Sequence, residues 1–335
     1  ANLENARQLL SAASLTLDAT VQTVFLDALR AYYATQAARA AVTAAVESER
    51  ASRESLTAAE VRYKVGTGTP ADRLQAQTAW SQATLTRIRA EGVLRTAYGT
   101  LANVMGLDAN RSLRLAEIPK IPADARSEHD VEALIDEARV RRPELGAAEA
   151  RVGAARSNVD AVRASGKPSL SLGTGASWQD TSGNSDFSSH SNSIGLTLSI
   201  PIFSGFETTY NVRTAEARVD AASALRDNVR LQVALDVWTA YQDLTTASQT
   251  LTTSADLLAS AEQSERVALG RYKAGVGNIL DLLNAQSALA NARLQRIQAA
   301  LDWYVARASL AKAVGTLDGN LLSPASPAAN TVTSP

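Results

Sequence analysis

The feature that most constrains the fold of this chain is an internal repeat. Residues 62 to 77 (RYKVGTGTPADRLQAQ) and residues 271 to 286 (RYKAGVGNILDLLNAQ) share 9 identities in 16 positions at an offset of 209. The offset continues without a gap and pairs Tyr32 with Tyr241. A fixed period of this length indicates that one structural unit occurs twice. Residues 142 to 209 have no counterpart at this offset, and we expect that counterpart to lie N-terminal to residue 1.

Each copy carries a long helix-forming stretch upstream of the repeated signature. No proline or glycine interrupts residues 3 to 65 or residues 211 to 269, which predicts helices on the order of 90 to 100 Å in length. Small and apolar residues recur at spacings of four and three, the pattern of a helix that packs along one narrow stripe. Several such helices side by side are expected, with a single two-stranded coiled coil as the alternative. The stripe comprises Leu17, Val21, Val24, Ala28, Ala31, Thr35, Ala38, Val42 and Ala45 in the first copy, and Val233, Val237, Ala240, Leu244, Ala247, Leu251, Ser254, Leu258 and Ala261 in the second.

Each signature predicts a tight turn between antiparallel helices. Gly66 and Gly275 supply the backbone freedom that ends one helix, and Thr69 or Asn278 can cap the next. Pro70 suits the first position of its helix because it has no N–H group to satisfy. The returning helices are shorter than the incoming ones, so a further helix must cover the remaining length. The helices expected after and beside the turns span residues 70 to 105, 143 to 165 and 279 to 314.

The stretch between residues 168 and 204 has a different periodicity. Apolar residues alternate with small polar ones from residue 168 to 178 and again from 193 to 203, which predicts two β-strands. Each strand has about 10 residues, the length of a tilted strand that crosses a bilayer. Residues 179 to 192 are rich in Ser, Asp, Asn and Gly and predict an exposed loop. We interpret the segment as a hairpin of a membrane barrel, with Trp178 in an interfacial belt; the alternative is a soluble hairpin that covers a helix layer.

The composition excludes several kinds of chemistry. The sequence has no cysteine, two histidines and a formal net charge of -1, so it offers no thiol nucleophile, no cysteine metal site and no global attraction to nucleic acid. His129 and His190 have no neighbouring ligand pattern. There is no phosphate-binding loop and no nucleophile elbow. No run of about 18 apolar residues occurs, which argues against a transmembrane helix. We therefore expect a protein that is not an enzyme and that holds no cofactor or metal.

Three sequence landmarks occur in a fixed order: the RYxxGxGxxxDxLxAQ signature that closes each helical hairpin, the RRPEL motif at residues 141 to 145, and the SIPIFSG passage at residues 199 to 205. Together they resemble the TolC family of outer-membrane channel proteins. The resemblance covers nearly the whole chain. It implies a mainly α fold with a membrane β-hairpin, in which long antiparallel helical hairpins form a trimeric α-barrel. In the full-length protein a 12-stranded β-barrel would continue this α-barrel.

The same resemblance implies a function, a location and a set of partners. The chain would be part of a passive exit duct of a tripartite efflux pump or a type I secretion system. It would sit in the outer membrane of a Gram-negative bacterium, with most of the chain in the periplasm. The implied partners are two further copies of the chain, a periplasmic adaptor protein, an inner-membrane transporter (ABC or proton-driven) and outer-membrane lipid. The alternatives from other classes are a periplasmic coiled-coil adaptor and a structural protein without a pore.

Functional residues are carried over from the resemblance at the two turns. Asp281 would contribute one carboxylate per protomer to a ring at the channel entrance, with a helix-capping role as the alternative, and capping is the favoured role for Asp72. At Asn284 relatives can have a second acid, and Gly277 stands where a basic residue helps bind the neighbouring hairpin. The predicted entrance gate comprises Asp281, Asn284, Tyr272, Arg271 and Asp72, with Tyr272 as an aromatic latch and Arg271 or Lys273 as the substitute cation. The predicted adaptor-docking tips comprise Val65, Gly66, Thr67, Ala274, Gly275 and Val276.

Four regions are expected along the chain. The first repeat, a periplasmic helical hairpin, is assigned to residues 1–107, and a linker region to 108–140. The second repeat, residues 141–316, is divided into a helix over 141–166, the β-hairpin over 168–204 and a long helical hairpin over 206–316. Residues 317–335 form a C-terminal tail in this assignment.

Overall fold

Two long helical hairpins, two shorter helices and one β-hairpin make up the described part of the chain. The computed structural model describes residues 1–116, 130–181 and 187–317. The helices are α1 (Asn2–Lys64), α2 (Pro70–Val104), α3 (Val131–Arg141), α4 (Pro143–Ser165), α5 (Glu207–Lys273) and α6 (Ile279–Val314), and the strands are β1 (Ser169–Thr181) and β2 (Phe187–Ser199). The predicted helical hairpins are therefore confirmed as α1–α2 and α5–α6.

Helix α3 occupies residues that were assigned to the linker region over 108–140, whereas α4 matches the helix expected over 143 to 165 and lies within the assigned 141–166. Helix α3 begins at the N-cap Asp130, whose carboxylate accepts a hydrogen bond from the Glu132 N–H at 3.1 Å. The break between the two helices falls at Arg142, where ψ is 118°, because a residue that precedes proline avoids the helical conformation. The remaining bounds of the four predicted regions stay predictions, and residues 117–129 and 318–335, with His129 and nearly all of the tail, lie outside the described residues.

The backbone packs as two units. The first comprises Ala1–Leu17 and Pro143–Leu231. Helix α4 lies antiparallel to the start of α1, where the Asn5 amide donates to the Ala154 carbonyl at 2.7 Å. Small residues let the axes approach: a Cβ added at Gly146 would lie 3.1 Å from a methyl group of Leu15. The prediction that α4 and a returning helix stack end to end concerns both units and stays a prediction.

The β-hairpin belongs to this first unit. The strands are antiparallel and pair Leu170 with Leu198 and Leu172 with Leu196, which confirms the predicted pairing. Their bounds differ from the prediction, because residues 179–181 and 187–192 lie in the strands and residues 200–203 do not. The predicted loop over 179–192 is therefore wrong for residues 179–181 and 187–192. Residues 182–186 lie outside the described residues. The polar sequence of 187–192 hid the strand, since backbone pairing does not require apolar side chains.

The second unit comprises Asp18–Arg142 and the chain from Gln232 onward. Arg142, nine-tenths buried, donates to the Asp236 carboxylate at 3.1 Å and to the Ala313 carbonyl at 3.4 Å. Tyr32 on α1 donates its hydroxyl proton to the Ala116 carbonyl at 2.9 Å. These contacts hold the chain on either side of α3 against the long helices.

The two predicted packing stripes have different outcomes. The second-copy stripe is confirmed: eight of its nine residues are buried and Leu258 is partly buried. In the first copy the stripe holds from Thr35 to Ala45, but Leu17, Val21 and Val24 are exposed. The physical reason is that Ala12, Ala19 and Leu26 face the neighbouring helices of the same chain instead.

Helix α1 also meets a simple test for a membrane span. Its most apolar 18-residue window has a mean hydropathy of 1.4, and among the described residues it is the one helix that is long and apolar enough to cross a membrane. The expectation against such a helix, drawn from unbroken apolar runs, does not hold for averaged hydropathy. Core helices and signal sequences pass the same test, so length and composition alone do not assign α1 to a bilayer.

Candidate functional site

The two helical hairpins end in the same turn. In the first, the amide of Thr67 donates to the Arg62 carbonyl at 2.9 Å, and in the second the amide of Val276 donates to the Arg271 carbonyl at 3.0 Å. Gly66 and its counterpart in the second turn both have φ of +80°, a conformation that costs other residues roughly 1–2 kcal/mol. The repeated sequence therefore encodes one local structure twice.

Gly277 is required by close approach. A Cβ at this position would lie 3.0 Å from the Cβ of Arg271 and 3.0 Å from the amide nitrogen of Tyr272. Its counterpart Gly68 is as tightly placed, 3.1 Å from the Cβ of Arg62. The family resemblance implies a basic residue at position 277. This turn has glycine there and little room for any side chain.

The carboxylates of Asp72 and Asp281 differ in their hydrogen-bond partners. Asp72 takes part in a capping box, accepting from the Thr69 amide at 3.0 Å while its own amide donates to the Thr69 hydroxyl at 3.1 Å. The Asp281 amide donates to the Asn278 side chain at 2.7 Å. The Asp281 carboxylate is exposed and has no hydrogen-bond or ion-pair partner among the described residues. The capping role therefore occupies the Asp72 side chain and leaves that of Asp281 free.

Three of the five predicted gate residues meet in one groove. Arg271, Asp281 and Asn284 line an open groove between α5 and α6 with a volume of about 420 Å³. Asp72 lies on the other hairpin and Tyr272 lies away from the groove lining. The Tyr272 side chain is only 4% exposed and packs with Ala59, Ala76, Ile279 and Leu282.

Arg62 joins the two hairpins, and the gate prediction did not include it. Its guanidinium lies over the Tyr272 ring, 4.7 Å from the ring centre, and donates to the Tyr272 carbonyl at 3.2 Å. Such stacking on an aromatic face adds to the hydrogen bond. The offset of 209 could have found Arg62, because it is the counterpart of Arg271.

Polar contacts between the hairpins continue away from the turns. The Gln286 amide donates to the Ser55 hydroxyl at 3.0 Å, and Arg293 pairs with Glu47 at 3.1 Å. These contacts place α6 alongside α1. The second hairpin is thus held in a fixed register against the first.

An ionic cluster joins α1 to α2 within the first hairpin. Glu49 accepts from the Thr84 hydroxyl at 2.7 Å and from Arg87 at 2.6 Å, and Arg87 also pairs with Glu91. The hydrogen bond from Thr84, together with the weaker effects of Arg87, holds the pKa of Glu49 below its ordinary value. The second hairpin has Leu258 at the position of Glu49, so its helices meet there through apolar contacts.

The remaining predicted residues lie at the outer ends of the turns. Val65, Gly66, Thr67, Ala274, Gly275 and Val276 are all exposed. His190 lies in β2 opposite Trp178, with the rings 5.6 Å apart. Within the described residues no cluster of three or more His, Cys, Asp or Glu side chains could hold a metal ion.

The two-hairpin architecture coincides with a known family. The sequence profile described as outer membrane efflux protein matches residues 1–107 and 134–316, which include both hairpins and the strands. The chain belongs to the outer membrane efflux protein family. This membership makes it a component of a channel in the outer membrane of a Gram-negative bacterium, and not an enzyme. The suspected TolC-like character is confirmed.

Individual members of the outer membrane efflux protein family are similar along most of the chain. Protein CyaE of Bordetella pertussis is 33% identical over 96% of this chain and 69% of its own length. The alkaline protease secretion protein AprF of Pseudomonas aeruginosa is 27% identical over 89% of this chain and 62% of its own. The solved structure of the outer-membrane channel OprN is 22% identical, with a TM-score of 0.79 over 94% of this chain and 71% of that one. The chain thus spans roughly two thirds of the length of these relatives.

Proposed function

We propose that the chain forms, with two further copies, a passive duct through the outer membrane and the periplasm. Channels of this family are trimeric and work with adaptor proteins and inner-membrane transporters. In the proposed assembly the long hairpins of three protomers surround a water-filled lumen, and the strands contribute to a 12-stranded barrel in the full-length protein. Cargo would pass through without chemical change.

The observation that carries the proposal is the β-hairpin. The apolar side chains of its paired strands share one face and are exposed to solvent: Leu170, Leu172, Ile194, Leu196 and Leu198. Exposed apolar residues on alternate positions suit a lipid-facing strand. Two strands leave two unpaired edges, and unpaired backbone groups are not tolerated in lipid. The hairpin therefore requires further strands, and in the proposal outer-membrane lipid covers its apolar face.

The duct needs an external source of energy and a docking partner. The sequence contains no nucleotide-binding loop, and an inner-membrane transporter, ABC or proton-driven, would supply the energy. The exposed turns at Val65 to Thr67 and Ala274 to Val276 would bind a periplasmic adaptor. Because the turns share one backbone structure, a trimer would present six similar surfaces to an adaptor ring. One relative is described as a secretion protein, and the family is described as efflux proteins. The cargo is therefore proposed to be either a secreted protein or a small molecule that is pumped out of the cell.

The entrance gate is proposed at the ends of α5 and α6. Asp281 would place one carboxylate per protomer near the lumen, where a ring of negative charge favours cations. Asn284 and Arg271 share its groove, Tyr272 fixes the second hairpin against the first, and Asp72 shapes the first turn. The free Asp281 carboxylate supports this assignment because capping does not use it.

Single-channel conductance of the full-length protein in a planar bilayer tests the gate. Asp281→Asn should reduce selectivity for K⁺ over Cl⁻ and weaken block by divalent cations, since three carboxylates are removed. Asp72→Asn is the matched control, because this acid occupies the same position in the other hairpin and should leave selectivity unchanged. Equal effects of both variants, or no effect of Asp281→Asn, would show that Asp281 is not the selectivity ring.

Adaptor docking is tested by pull-down with the purified adaptor. Val65→Glu or Thr67→Glu should abolish capture because a bulky charge replaces a small exposed surface at the turn. Leu85→Glu, at an exposed residue on α2 farther from the turn, is the control and should retain capture. Detergent-resistant trimers should persist in all three variants; their loss would point to a folding defect, and capture by the variants at positions 65 and 67 would contradict the docking assignment.

A further inference from the structure

The tip of the first hairpin contains a groove that is already filled. The groove is lined by four residues that contact the second hairpin: Ser55, Ala59, Arg62 and Ala76. The chain fills this first groove with its own second hairpin. The occupying residues are Tyr272, Ile279, Leu282 and Gln286, of which the first three are buried.

The second hairpin has the same groove, and it is open. At the offset of 209 the four lining residues become Ser264, Ala268, Arg271 and Ala285, identical in type to those of the first groove. All four line the open groove of about 420 Å³ that also contains Asp281 and Asn284. The two turns have the same backbone hydrogen bonds, so the two grooves are built on the same frame.

We infer that this second groove holds the first hairpin of another copy of the chain, in the register that the chain already shows within itself. At the offset of 209, the residues that fill the first groove correspond to the residues that would fill the second. These are Tyr63, Pro70, Arg73 and Gln77. This inference rests on the proposed trimer and assigns the residues that join one protomer to the next at the tip.

The state of the predicted occupants supports the assignment. Tyr63 is 42% exposed, whereas its counterpart Tyr272 is 4% exposed beneath Arg62. Arg271, the counterpart of Arg62, has no hydrogen-bond or ion-pair partner among the described residues. In the assembly Arg271 would lie over the Tyr63 ring of the next protomer and donate to its carbonyl, as Arg62 does to Tyr272. Ser264 would bond with Gln77, as Ser55 does with Gln286.

One occupant differs in a way that matches the groove. Leu282 in the first groove is replaced by Arg73 in the predicted occupant. The Arg73 guanidinium lies 5.3 Å from the centre of the Tyr63 ring, and its Nε is buried without a hydrogen-bond partner among the described residues. The second groove supplies the free carboxylate of Asp281, whereas the counterpart Asp72 is held by Thr69. The change from leucine to arginine thus coincides with an available anion. Asp281 would pair with Arg73 where neighbouring tips are joined, and the ring of negative charge proposed for the lumen would form when the tips are apart.

Site-specific cross-linking tests the register directly. The described chain has no cysteine, so within it the paired substitutions introduce the only thiols, and any cysteine elsewhere in the full-length protein is replaced by serine. In full-length protein assembled in outer membranes, Ser264→Cys with Gln77→Cys should give covalent dimers and trimers on a denaturing gel after treatment with a short bismaleimide. The internal control is Ser55→Cys with Gln286→Cys, which should react within one chain and keep the mobility of a monomer.

The outcomes separate this inference from the proposed function. If Ser264 and Gln77 give no covalent oligomers while the control pair reacts and light scattering shows trimers, the register is wrong and the trimeric duct stands. If light scattering shows monomers and bilayers show no conductance, the proposed function fails first. If the control pair also gave covalent dimers and trimers, the first groove would be filled by another protomer. The contact within one chain, on which the inference is based, would then be wrong.

Charge exchange tests the pair that distinguishes the two grooves. Arg73→Glu should reduce the yield of the Ser264–Gln77 cross-link, because two carboxylates would then face each other. Adding Asp281→Arg to this variant should restore the yield. Arg73→Lys keeps the charge and should retain most of the yield, and Lys273→Ala removes a cation from the second turn as a control. Failure of the double exchange to restore cross-linking in protein that remains trimeric would exclude the ion pair.

Discussion

The two helical hairpins share a sequence signature and a turn but differ in how much of each is buried. Eleven residues of α6 are buried, against three in α2, although the helices have 36 and 35 residues. Val233 is 1% exposed and its counterpart Val24 is 52% exposed. Local sequence therefore sets the turn, while neighbours set burial. The exposed member of each pair marks a surface that the single chain does not cover.

A buried charge gives the largest expected contrast. Val233→Asp should lower the free energy of unfolding by about 4 kcal/mol, because an unpaired carboxylate would replace a fully buried side chain. Val24→Asp should leave the helix content of the protomer unchanged and weaken only the trimer. Circular dichroism against denaturant in detergent, with trimer content on a gel, checks both. An equal loss of helix in the two variants would mean that Val24 is buried within its own chain.

The paired tyrosines sharpen the comparison at the tips. Tyr272→Ala should cost about 3 kcal/mol, since a buried aromatic ring leaves a cavity and Arg62 loses its stacking partner. Tyr63→Ala should have little effect on the unfolding of the protomer and should lower the temperature at which the trimer dissociates. The same two measurements apply, and a Tyr63 variant with an unchanged dissociation temperature would contradict a partner at this ring.

The helix caps should behave alike in both copies. Thr69→Ala and Asn278→Ala each remove a side chain that accepts a hydrogen bond from the third residue of the following helix, and each should cost about 1 kcal/mol. Denaturant unfolding of the two variants measures this. A difference much larger than the error would show that the turns are not as equivalent as their backbone hydrogen bonds indicate.

The smallest expected effect is a pH dependence confined to the first hairpin. The pKa of Glu49 is lowered in the folded state, so its stabilising contribution is present above the ordinary carboxyl value of 4.5 and is lost as the pH falls through the lowered value. Hydrogen-exchange protection near the middle of α1 and α2, corrected for the intrinsic pH dependence of amide exchange, should fall in acid, and Glu49→Gln should remove that dependence. The second hairpin, with Leu258 at this position, is the internal control and should not change around that residue.

The parts of the fold predicted from sequence are those that neighbouring residues determine. Glycine, proline and capping residues indicated both turns within one residue. Period-two alternation indicated the two strands, one of which contains Leu170 and Leu172. Helix α3 was missed because its 11 residues show the helical pattern over only about three turns and were assigned to the linker, whereas a helix from Pro143 onward was expected. The polar strand residues of 187–192 were taken for a loop because no alternation marks them.

The site was predicted in part for the same reason. Motif positions identified Arg271, Asp281 and Asn284, which the structure brings together in one groove. Burial of Tyr272 by Arg62 was not predicted, because it depends on contact between segments more than 200 residues apart. Leu17 and Val24 were expected in a buried stripe, but periodicity indicates an apolar face without saying which chain covers it.

In the assembly that we infer, neighbouring hairpins at the tip meet through Leu282 in the first groove and through Arg73 in the second groove. The leucine contact lies within a protomer and the arginine contact lies between protomers. The two kinds of contact would therefore respond differently to ionic strength. Dissolved salt screens exposed charges over about 8 Å at physiological concentration and leaves contact between apolar groups nearly intact. Concentrated salt would therefore weaken the three contacts between protomers more than the three contacts within protomers, where Leu282 replaces the charged side chain.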